Sequence, residues 1–309
     1  MKNFVKSILL FMLPIFILGV SSEILLRKIP NDYVLKRKFL DNYSDSIKVL
    51  FLGSSHAFYG VNPAYFSSKS FNASYPSQTL NYDFEILKKY RNNWKDLECI
   101  AIPISYFSLF VSFDTGIESW RVKNYNIYYG MNMSNKFVDN TEALSNKLSV
   151  NLDRLYSYYV CGNSNISCSS LGWGIDFNSK NKKDLNKTGK QAAKRHSTKD
   201  NRYLTANINT LKAIIEFAKN RGVRVLLYTP PAYHTYSENL NSTQLSQTIS
   251  TVKNIGREYN NVVYVNFLTD PSFLAADFFD ADHMDEVGAK KLTHKIDVLI
   301  NQNKKNTWR

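Results

Sequence analysis

Two short motifs, far apart in the chain, carry residue types that could perform acyl transfer together. Gly53-Ser54-Ser55-His56 supplies a serine hydroxyl, and Asp280-Ala281-Asp282-His283 places a carboxylate three residues before a histidine. A serine hydroxyl becomes a nucleophile when a base removes its proton, and a carboxylate can orient that base. The residue types therefore predict Ser55 as nucleophile, His283 as base and Asp280 as the group that orients the base.

The elements predicted around these motifs explain how they could meet. The apolar run 49–52 predicts a buried strand directly before Gly53, and further strands are predicted over 70–73, 99–104, 223–229 and 262–265. Apolar residues at helical spacing predict helices over 78–90, 208–218, 245–252 and 285–301. This alternation predicts a parallel sheet, and open α/β sheets place reactive groups at the carboxyl ends of their strands.

In this context the two motifs resemble the SGNH/GDSL hydrolase superfamily, in which a Gly-x-Ser block follows the first strand and an Asp-x-x-His block precedes the last helix. The resemblance covers about residues 47–104 and 205–300. It implies a flavodoxin-like three-layer α/β/α fold, with Ser55, His283 and Asp280 as the triad. The chain looks most like membrane-tethered members of envelope polysaccharide pathways, similar to the alginate O-acetylation proteins and the D-alanine transfer protein of teichoic acid synthesis.

The oxyanion-hole positions of that superfamily are only partly matched. Ser74 stands where a glycine usually supplies an amide, and its N–H could still donate alongside the amide of Ser55. The usual asparagine after the third strand is absent, and Ser105 could donate in its place. Losing one preorganised donor typically costs about 3–4 kcal/mol of transition-state stabilisation. Generic, fast hydrolysis is therefore less expected than slower acyl transfer.

Other residues near the motifs are assigned supporting roles. His56 adjoins the nucleophile and is expected to shape the pocket, whereas His234 follows a strand and is expected at the substrate rim. Asp282 is expected to be a turn residue. No metal-ligand spacing appears in the sequence, so neither a metal nor a cofactor is expected.

The N-terminus predicts a membrane anchor. Lys2 and Lys6 precede an uncharged apolar run over 8–20, which is typical of a secretory h-region or a short membrane helix. The apolar pattern resumes at Ile24-Leu25-Leu26, which favours an uncleaved anchor over residues 1–28. The two lysines would stay in the cytoplasm, so the rest of the chain is expected outside it, in the periplasm or on the outer face of the plasma membrane.

Beyond the anchor, we predict a polar connector over 29–46 and a catalytic domain over 47–309. An insertion at about 106–202 is rich in Asn, Ser, Tyr and Lys and is typical of a cap or lid. Within it, Trp120-Arg121 and Trp173-Gly174 could line a substrate-binding surface. An equal alternative is that Trp120-Arg121 and Trp173-Gly174 pack the insertion onto the sheet.

Charge and cysteine content narrow the possible partners. The net charge of +13 is concentrated between Lys180 and Lys199, which predicts a solvated, mobile loop, with anionic lipid headgroups or an acidic polymer as alternative ligands. Nucleic acid is not expected, because the chain is predicted to be exported and lacks a reading motif. Cys161 and Cys168 flank a short polar loop and could pair in an oxidising compartment, and Cys99 is expected to be a buried thiol.

These patterns favour a membrane-anchored extracytoplasmic enzyme of 309 residues. It is expected to O-acetylate an envelope or exported polysaccharide through an acyl-Ser55 intermediate, with a membrane acyltransferase as donor partner. Two alternatives stay open. One is a carbohydrate esterase or deacetylase with the same triad, and the other is a non-catalytic glycan-binding or scaffold protein that kept the fold.

Overall fold

The computed structural model describes residues 1–115 and 118–302. Its helices are α1 (Lys2–Lys28), α2 (Asp32–Tyr43), α3 (Ser55–Phe58), α4 (Leu80–Lys89), α5 (Val122–Asn124), α6 (Glu142–Ser145), α7 (Leu148–Tyr159), α8 (Leu185–His196), α9 (Leu204–Lys219), α10 (His234–Ser237), α11 (Ser242–Glu258) and α12 (Glu286–Gln302). Its strands are β1 (Val49–Phe51), β2 (Ser70–Asn72), β3 (Cys99–Pro103), β4 (Arg224–Thr229), β5 (Val262–Asn266), β6 (Phe278–Asp280) and β7 (His283–Met284).

The main sheet has five parallel strands in the order β2-β1-β3-β4-β5. This is the flavodoxin-like order, in which the chain reverses direction across the sheet between β1 and β3. All five strands lie where the apolar runs predicted them. The α/β fold with a parallel sheet is therefore confirmed.

Both faces of the sheet are buried. On one face, alternate strand residues such as Phe51, Ala101 and Tyr228 form a single cluster with the apolar stripe of α12, including Leu292 and Ile296. The intervening strand residues, Leu50, Ile100 and Leu227, are fully buried as well. Such strands hold their carboxyl ends in fixed positions, and these ends carry the loops described below.

The described residues fall into two compact units. The first contains residues 1–37 and 118–166, and the second contains residues 38–115 and 167–302, with the whole five-stranded sheet. Helix α2 occupies most of the segment predicted as a connector. The later part of the predicted insertion, 167–202, belongs to the sheet unit.

Helix α1 dominates the first unit. Among residues 1–115 and 118–302 it is the one helix that is long and apolar enough to cross a membrane, by length and composition. Its apolar side chains from Phe4 to Val20 are exposed. The helix is therefore a candidate membrane anchor or signal sequence.

The sequence left open whether Cys161 and Cys168 pair, and in the structure both are free thiols. Cys161 follows α7 in the first unit and is exposed, whereas Cys168 is buried in the second unit, where its backbone pairs with Gly174. The unit boundary falls between the two cysteines, which spacing alone does not reveal. Cys99 is buried, as predicted.

The prediction of a mobile basic loop over 180–199 is wrong, since this segment contains α8. Asp184 caps the helix by accepting hydrogen bonds from the amides of Asn186 and Lys187. One face of α8 consists of small buried residues, Gly189, Ala192 and Ala193. Their spacing forms a narrow packing stripe, while the lysines occupy the opposite, solvated face.

The close approach of α8 to α10 depends on Gly189. A Cβ added there would lie 2.4 Å from the Oγ1 atom and 2.6 Å from the carbonyl carbon of Thr235. We therefore expect Gly189→Ala to lower the free energy of unfolding by about 1–3 kcal/mol, the usual cost of overpacking. Denaturant-induced unfolding of the purified full-length protein measures this change.

Gly256→Ala is the matched control, because Gly256 is also a helical glycine. Its added Cβ would lie 3.4 Å from Tyr264, an ordinary contact, so Gly256→Ala should be neutral or stabilise by up to ~1 kcal/mol. Equal unfolding free energies for the two variants would contradict the tight packing of α8.

Candidate active site

A turn that requires a glycine places Ser55 at the carboxyl end of β1. Gly53 has a φ of +105°, in the left-handed region, and its amide donates to Asp83 Oδ1 at 2.8 Å. A Cβ on Gly53 would lie 2.7 Å from the ring of Pro103 at the end of the neighbouring β3. Only glycine fits this turn, and Ser55 follows as the first residue of α3.

Ser55, His283 and Asp280 form a continuous hydrogen-bonded chain. Ser55 Oγ lies 2.8 Å from His283 Nε2, and His283 Nδ1 lies 3.0 Å and 3.2 Å from the two carboxylate oxygens of Asp280. These distances allow His283 to accept the serine proton while Asp280 holds the opposite ring nitrogen. The structure thus brings together the three residues that the two motifs predicted as a triad.

A two-stranded hairpin presents Asp280 and His283. Strands β6 and β7 pair antiparallel, with Asp280 opposite His283. Asp280 Oδ1 also accepts hydrogen bonds from the backbone amides of Asp282 and His283, at 3.1 and 2.9 Å. The carboxylate is therefore fixed in place by its own turn. Asp285 then caps α12 through the amides of Val287 and Gly288.

Asp282 is much more than a turn residue. Its side chain is buried and lies among three histidines: Oδ1 is 3.7 Å from His283 Nδ1, while Oδ2 is 3.6 Å from His56 Nε2 and 3.8 Å from His196 Nδ1. Among the described residues, Oδ2 has no hydrogen-bond partner. A second carboxylate therefore acts on the catalytic histidine without completing a hydrogen bond to it.

The two carboxylates favour the protonated form of His283. Burial by itself would lower the pKa of His283, but the charges of Asp282 and Asp280 outweigh it and raise the pKa to about 9. For Asp282, burial would raise the pKa, yet the His283 charge and the other two rings hold it well below its usual range. Both shifts favour a positively charged His283 between the carboxylates of Asp280 and Asp282.

The other two histidines are neutral members of the same cluster. Burial lowers the pKa of His56, and it lowers the pKa of His196 to about 3. His56 Nδ1 lies 2.6 Å from Ser105 Oγ, and His196 Nδ1 lies 2.9 Å from Tyr236 Oη. The sequence placed His56 at the pocket but missed His196, whose only signal was its position at the end of the small-residue stripe of α8.

The two predicted auxiliary oxyanion donors are already engaged. The amide of Ser74 donates to Asn72 Oδ1 at 3.1 Å, and the hydroxyl of Ser105 is bonded to His56. Both serines are buried. By contrast, the amide of Ser55 lies in the first turn of α3, where backbone N–H groups have no partner within the helix. Of the three predicted donors, the geometry leaves the Ser55 amide available.

An aromatic stack stands beside the triad. The rings of Tyr59 and Phe177 stack at 3.7 Å between centroids, Phe177 and Phe279 stack at 3.9 Å, and Phe177 lies edge-on to His283 at 5.4 Å. Phe177 arrives from the segment that follows Trp173, whose indole N–H donates to the carbonyl of Tyr59 at 2.8 Å. Trp173 therefore packs this segment onto the sheet unit, which is the alternative considered for it from the sequence.

The remaining predicted substrate-binding residues have other recorded contacts. His234 is exposed and pairs with Glu238 at 3.4 Å. Trp120 and Arg121 belong to the first unit, where the Arg121 guanidinium lies over the Trp120 ring and pairs with Glu118 at 2.6 Å. None of these contacts includes a triad residue.

Three of the site residues could also hold a metal ion. His56, Asp282 and His283 each offer a ligand atom, and these atoms lie within 4.8 Å of one another. His283 is already bonded through both ring nitrogens, to Ser55 and Asp280. A metal bound there would therefore compete with the triad.

Comparisons with known proteins identify distant structural likenesses and one family. The chain is similar to the crystal structure of a presumed acylhydrolase from Bacteroides fragilis NCTC 9343, with 12% identity, a TM-score of 0.42, and coverage of 91% of this chain and 100% of that one. It is also similar to the structure of a presumed platelet activating factor from Streptococcus pneumonia, with 11% identity, a TM-score of 0.43, and coverage of 95% and 99%. Likeness at this level does not indicate a shared substrate or activity.

No similar sequence was found among curated proteins. A family model described as "Protein of unknown function (DUF1574)" matches residues 121–296. The matched region includes His196, Asp280 and His283 but does not reach Ser55. Because the match covers more than half of the chain, the protein belongs to the DUF1574 family.

Proposed function

We propose that this protein is a membrane-anchored, extracytoplasmic serine acyl-transfer enzyme that O-acetylates an envelope or exported polysaccharide. One observation carries the proposal: the unbroken hydrogen-bonded chain Ser55–His283–Asp280 at the carboxyl end of a parallel sheet. Nucleophile, base and orienting carboxylate at these distances are suited to acyl transfer through a covalent intermediate.

The reaction would proceed in two half-reactions, acylation of Ser55 and then transfer of the acyl group to the acceptor. Neutral His283 Nε2 takes the proton of Ser55 as Oγ attacks the acyl carbonyl carbon of the donor, and the Ser55 amide faces the developing oxyanion. The intermediate collapses, and His283 returns the proton to the leaving group. In the second half a sugar hydroxyl gives its proton to His283 Nε2 and attacks the acyl carbonyl carbon; as the bond to Ser55 Oγ breaks, His283 returns that proton to Oγ, which regenerates both the serine hydroxyl and the neutral base.

Two features support transfer to a sugar over transfer to water. The stack of Tyr59, Phe177 and Phe279 forms an apolar wall beside His283, whose side chain is only 12% exposed. Such a wall limits water near the acyl-serine. With α1 in a membrane, a membrane acyltransferase is the natural donor partner.

A fluorophosphonate probe tests the nucleophile directly. The full-length protein in nanodiscs should be labelled, and Ser55→Ala should abolish the labelling because the hydroxyl bonded to His283 is removed. Ser54→Ala is the matched control: Ser54 Oγ is buried and has no hydrogen-bond partner in the described part of the chain, so its loss should leave labelling intact. Labelling that survives in Ser55→Ala, or that disappears in Ser54→Ala, would reject the assignment.

The same triad could pass the acyl group to water, so a hydrolytic esterase is the second candidate. Release of p-nitrophenol from p-nitrophenyl acetate separates the two functions. If transfer is correct, adding an oligosaccharide acceptor accelerates release after the first turnover and yields acetylated sugar. Fast release that ignores the acceptor would favour the esterase.

A further inference from the structure

Several apolar side chains of helix α7 are exposed while a polar one is buried, the reverse of the arrangement usual in a soluble protein. Leu148, Leu152 and Tyr156 recur every fourth residue on one face and are 73%, 55% and 62% exposed. Asn151, on another face of the helix, is buried. Arg154 points inward to the carboxylate of Glu142 at 2.6 Å. The helix therefore presents a row of apolar side chains outward, next to the exposed Ser149 and Asp153, and directs Asn151 and Arg154 into the unit.

A charged cluster forms the interior against which that polar face packs. Glu142 is fully buried, and its carboxylate contacts Lys123, Arg154 and the hydroxyl of Tyr128. Burying charges is favourable only when they are paired and hydrogen-bonded, as they are here. An interior of this kind beside an exposed apolar face indicates that the face is covered by something other than water.

The exposed apolar residues extend beyond α7. We call them the apolar surface, and its main members are Phe137, Leu144, Leu148, Leu152, Tyr156 and Val160, all exposed. Lys136 and Lys147 lie next to them in sequence and are exposed as well. Leucine and aromatic side chains with neighbouring lysines are the composition of helices that lie in a membrane interface.

Hydrogen bonds tie this surface to the last turns of α1. The carboxylate of Glu23 accepts from the amides of Glu142 and Ala143 at 3.0 and 2.8 Å. Arg27 donates to the carbonyl of Asn140 at 2.9 Å, and the hydroxyl of Tyr159 donates to the carbonyl of Leu25 at 3.0 Å. The apolar surface is therefore held at a fixed level along α1.

The length of α1 indicates the depth at which this surface would lie in a bilayer. Its 27 residues span about 40 Å, whereas the hydrocarbon core of a bilayer is about 30 Å thick. With the uncharged run over 8–20 centred in the core, Glu23 lies at the edge of the hydrocarbon and Arg27 reaches the headgroup region. The residues bonded to them lie at the same depth, where a bilayer offers lipid to an apolar face.

We propose that the apolar surface of residues 137–160 lies in the bilayer interface around α1, so that the first unit is embedded by α1 and rests on the lipid through α6 and α7. This inference depends on α1 staying in the membrane, which is part of the proposed function. It adds a second lipid contact that a single-helix tether does not have.

Site-specific fluorescence in nanodiscs tests the proposal on the full-length chain. The exposed thiol is removed by Cys161→Ser, the buried Cys99 and Cys168 are kept, and Leu152→Cys or Phe137→Cys is labelled with an environment-sensitive dye. We expect lipids carrying a nitroxide near the headgroup to quench both dyes several-fold more than aqueous iodide does. Val298→Cys, an exposed apolar position on α12, is the matched control and should show the opposite preference.

The outcomes are distinct. If iodide quenches the dyes at 152 and 137 as strongly as at 298, the surface faces water and the proposal is wrong. If neither quencher reaches the dyes, protein covers the surface, and this result also overturns the proposal. Phe11→Cys in the middle of α1, measured with lipids that carry the nitroxide in the acyl chain, separates the two proposals: lipid quenching there with water exposure at 152 rejects the apolar surface alone, and no lipid quenching at 11 rejects the anchor itself.

Discussion

Asp280→Asn should lower the turnover of acyl transfer on the order of 10³- to 10⁴-fold while leaving the fold intact. The backbone amides of Asp282 and His283 both donate to Asp280 Oδ1, so they would keep the oxygen of an asparagine in that position. The new NH₂ group would then replace Oδ2, 3.2 Å from His283 Nδ1. It would donate to Nδ1 and force the ring proton onto Nε2, which faces Ser55, so the base could no longer accept the serine proton.

Steady-state kinetics with an activated acetyl ester and a sugar acceptor measure this loss, and circular dichroism with thermal unfolding verifies the fold. The variant should also react slowly with the fluorophosphonate probe, because the same tautomer governs both reactions. A loss of less than about tenfold would mean that Asp280 does not control the His283 tautomer.

Asp282→Asn should instead shift the pH dependence of the reaction. With a pKa of about 9, His283 in the free protein is neutral in roughly one molecule in a hundred at pH 7, so kcat/KM should rise with pH up to about 9. Removing the Asp282 charge removes the largest influence that raises this pKa. The rising limb should therefore move down by about one pH unit or more, and kcat/KM at pH 7 should increase about tenfold.

The same substitution has a consequence for stability whose sign follows from the pKa. Because folding raises the His283 pKa from 6.5 to about 9, its contribution to stability is complete below pH 6.5 and is lost as the pH rises through 9. The melting temperature of the parent protein should decline over this window, and the decline should be smaller in Asp282→Asn. Superimposable pH profiles for parent and variant, in both activity and melting temperature, would refute the role given to Asp282.

The parts of the fold that local sequence determines were predictable. Each strand of the main sheet is a short apolar run that needs burial on two faces, and Asp280 and His283 are close because they are three residues apart. The contact between Ser55 and His283 joins residues 228 positions apart, and no local pattern reports it. It was expected from the residue types of the two motifs and from their resemblance to the SGNH/GDSL hydrolases.

The parts that depend on packing between distant segments were not predictable. His196 reaches Asp282 because Gly189, Ala192 and Ala193 pack α8 against its neighbours, and the surrounding lysines mask that stripe in the sequence. Similarly, the Ser74 amide donates to the side chain of Asn72. The position of that side chain depends on tertiary contacts that motif comparison does not describe. Both errors came from residues whose roles are set by tertiary neighbours.

The hydrogen bonds between Glu23 and the start of α6 also order the events of synthesis. Their donors lie 119 and 120 residues after the acceptor, so the end of the anchor leaves the ribosome long before its partners exist. At typical elongation rates of 5–20 residues per second, the interval is on the order of ten seconds. Strands β1, β2 and β3 are made during that time. With α1 as the proposed anchor, the first unit would therefore be completed around a helix that has already been inserted, and membrane insertion would be a step in its folding.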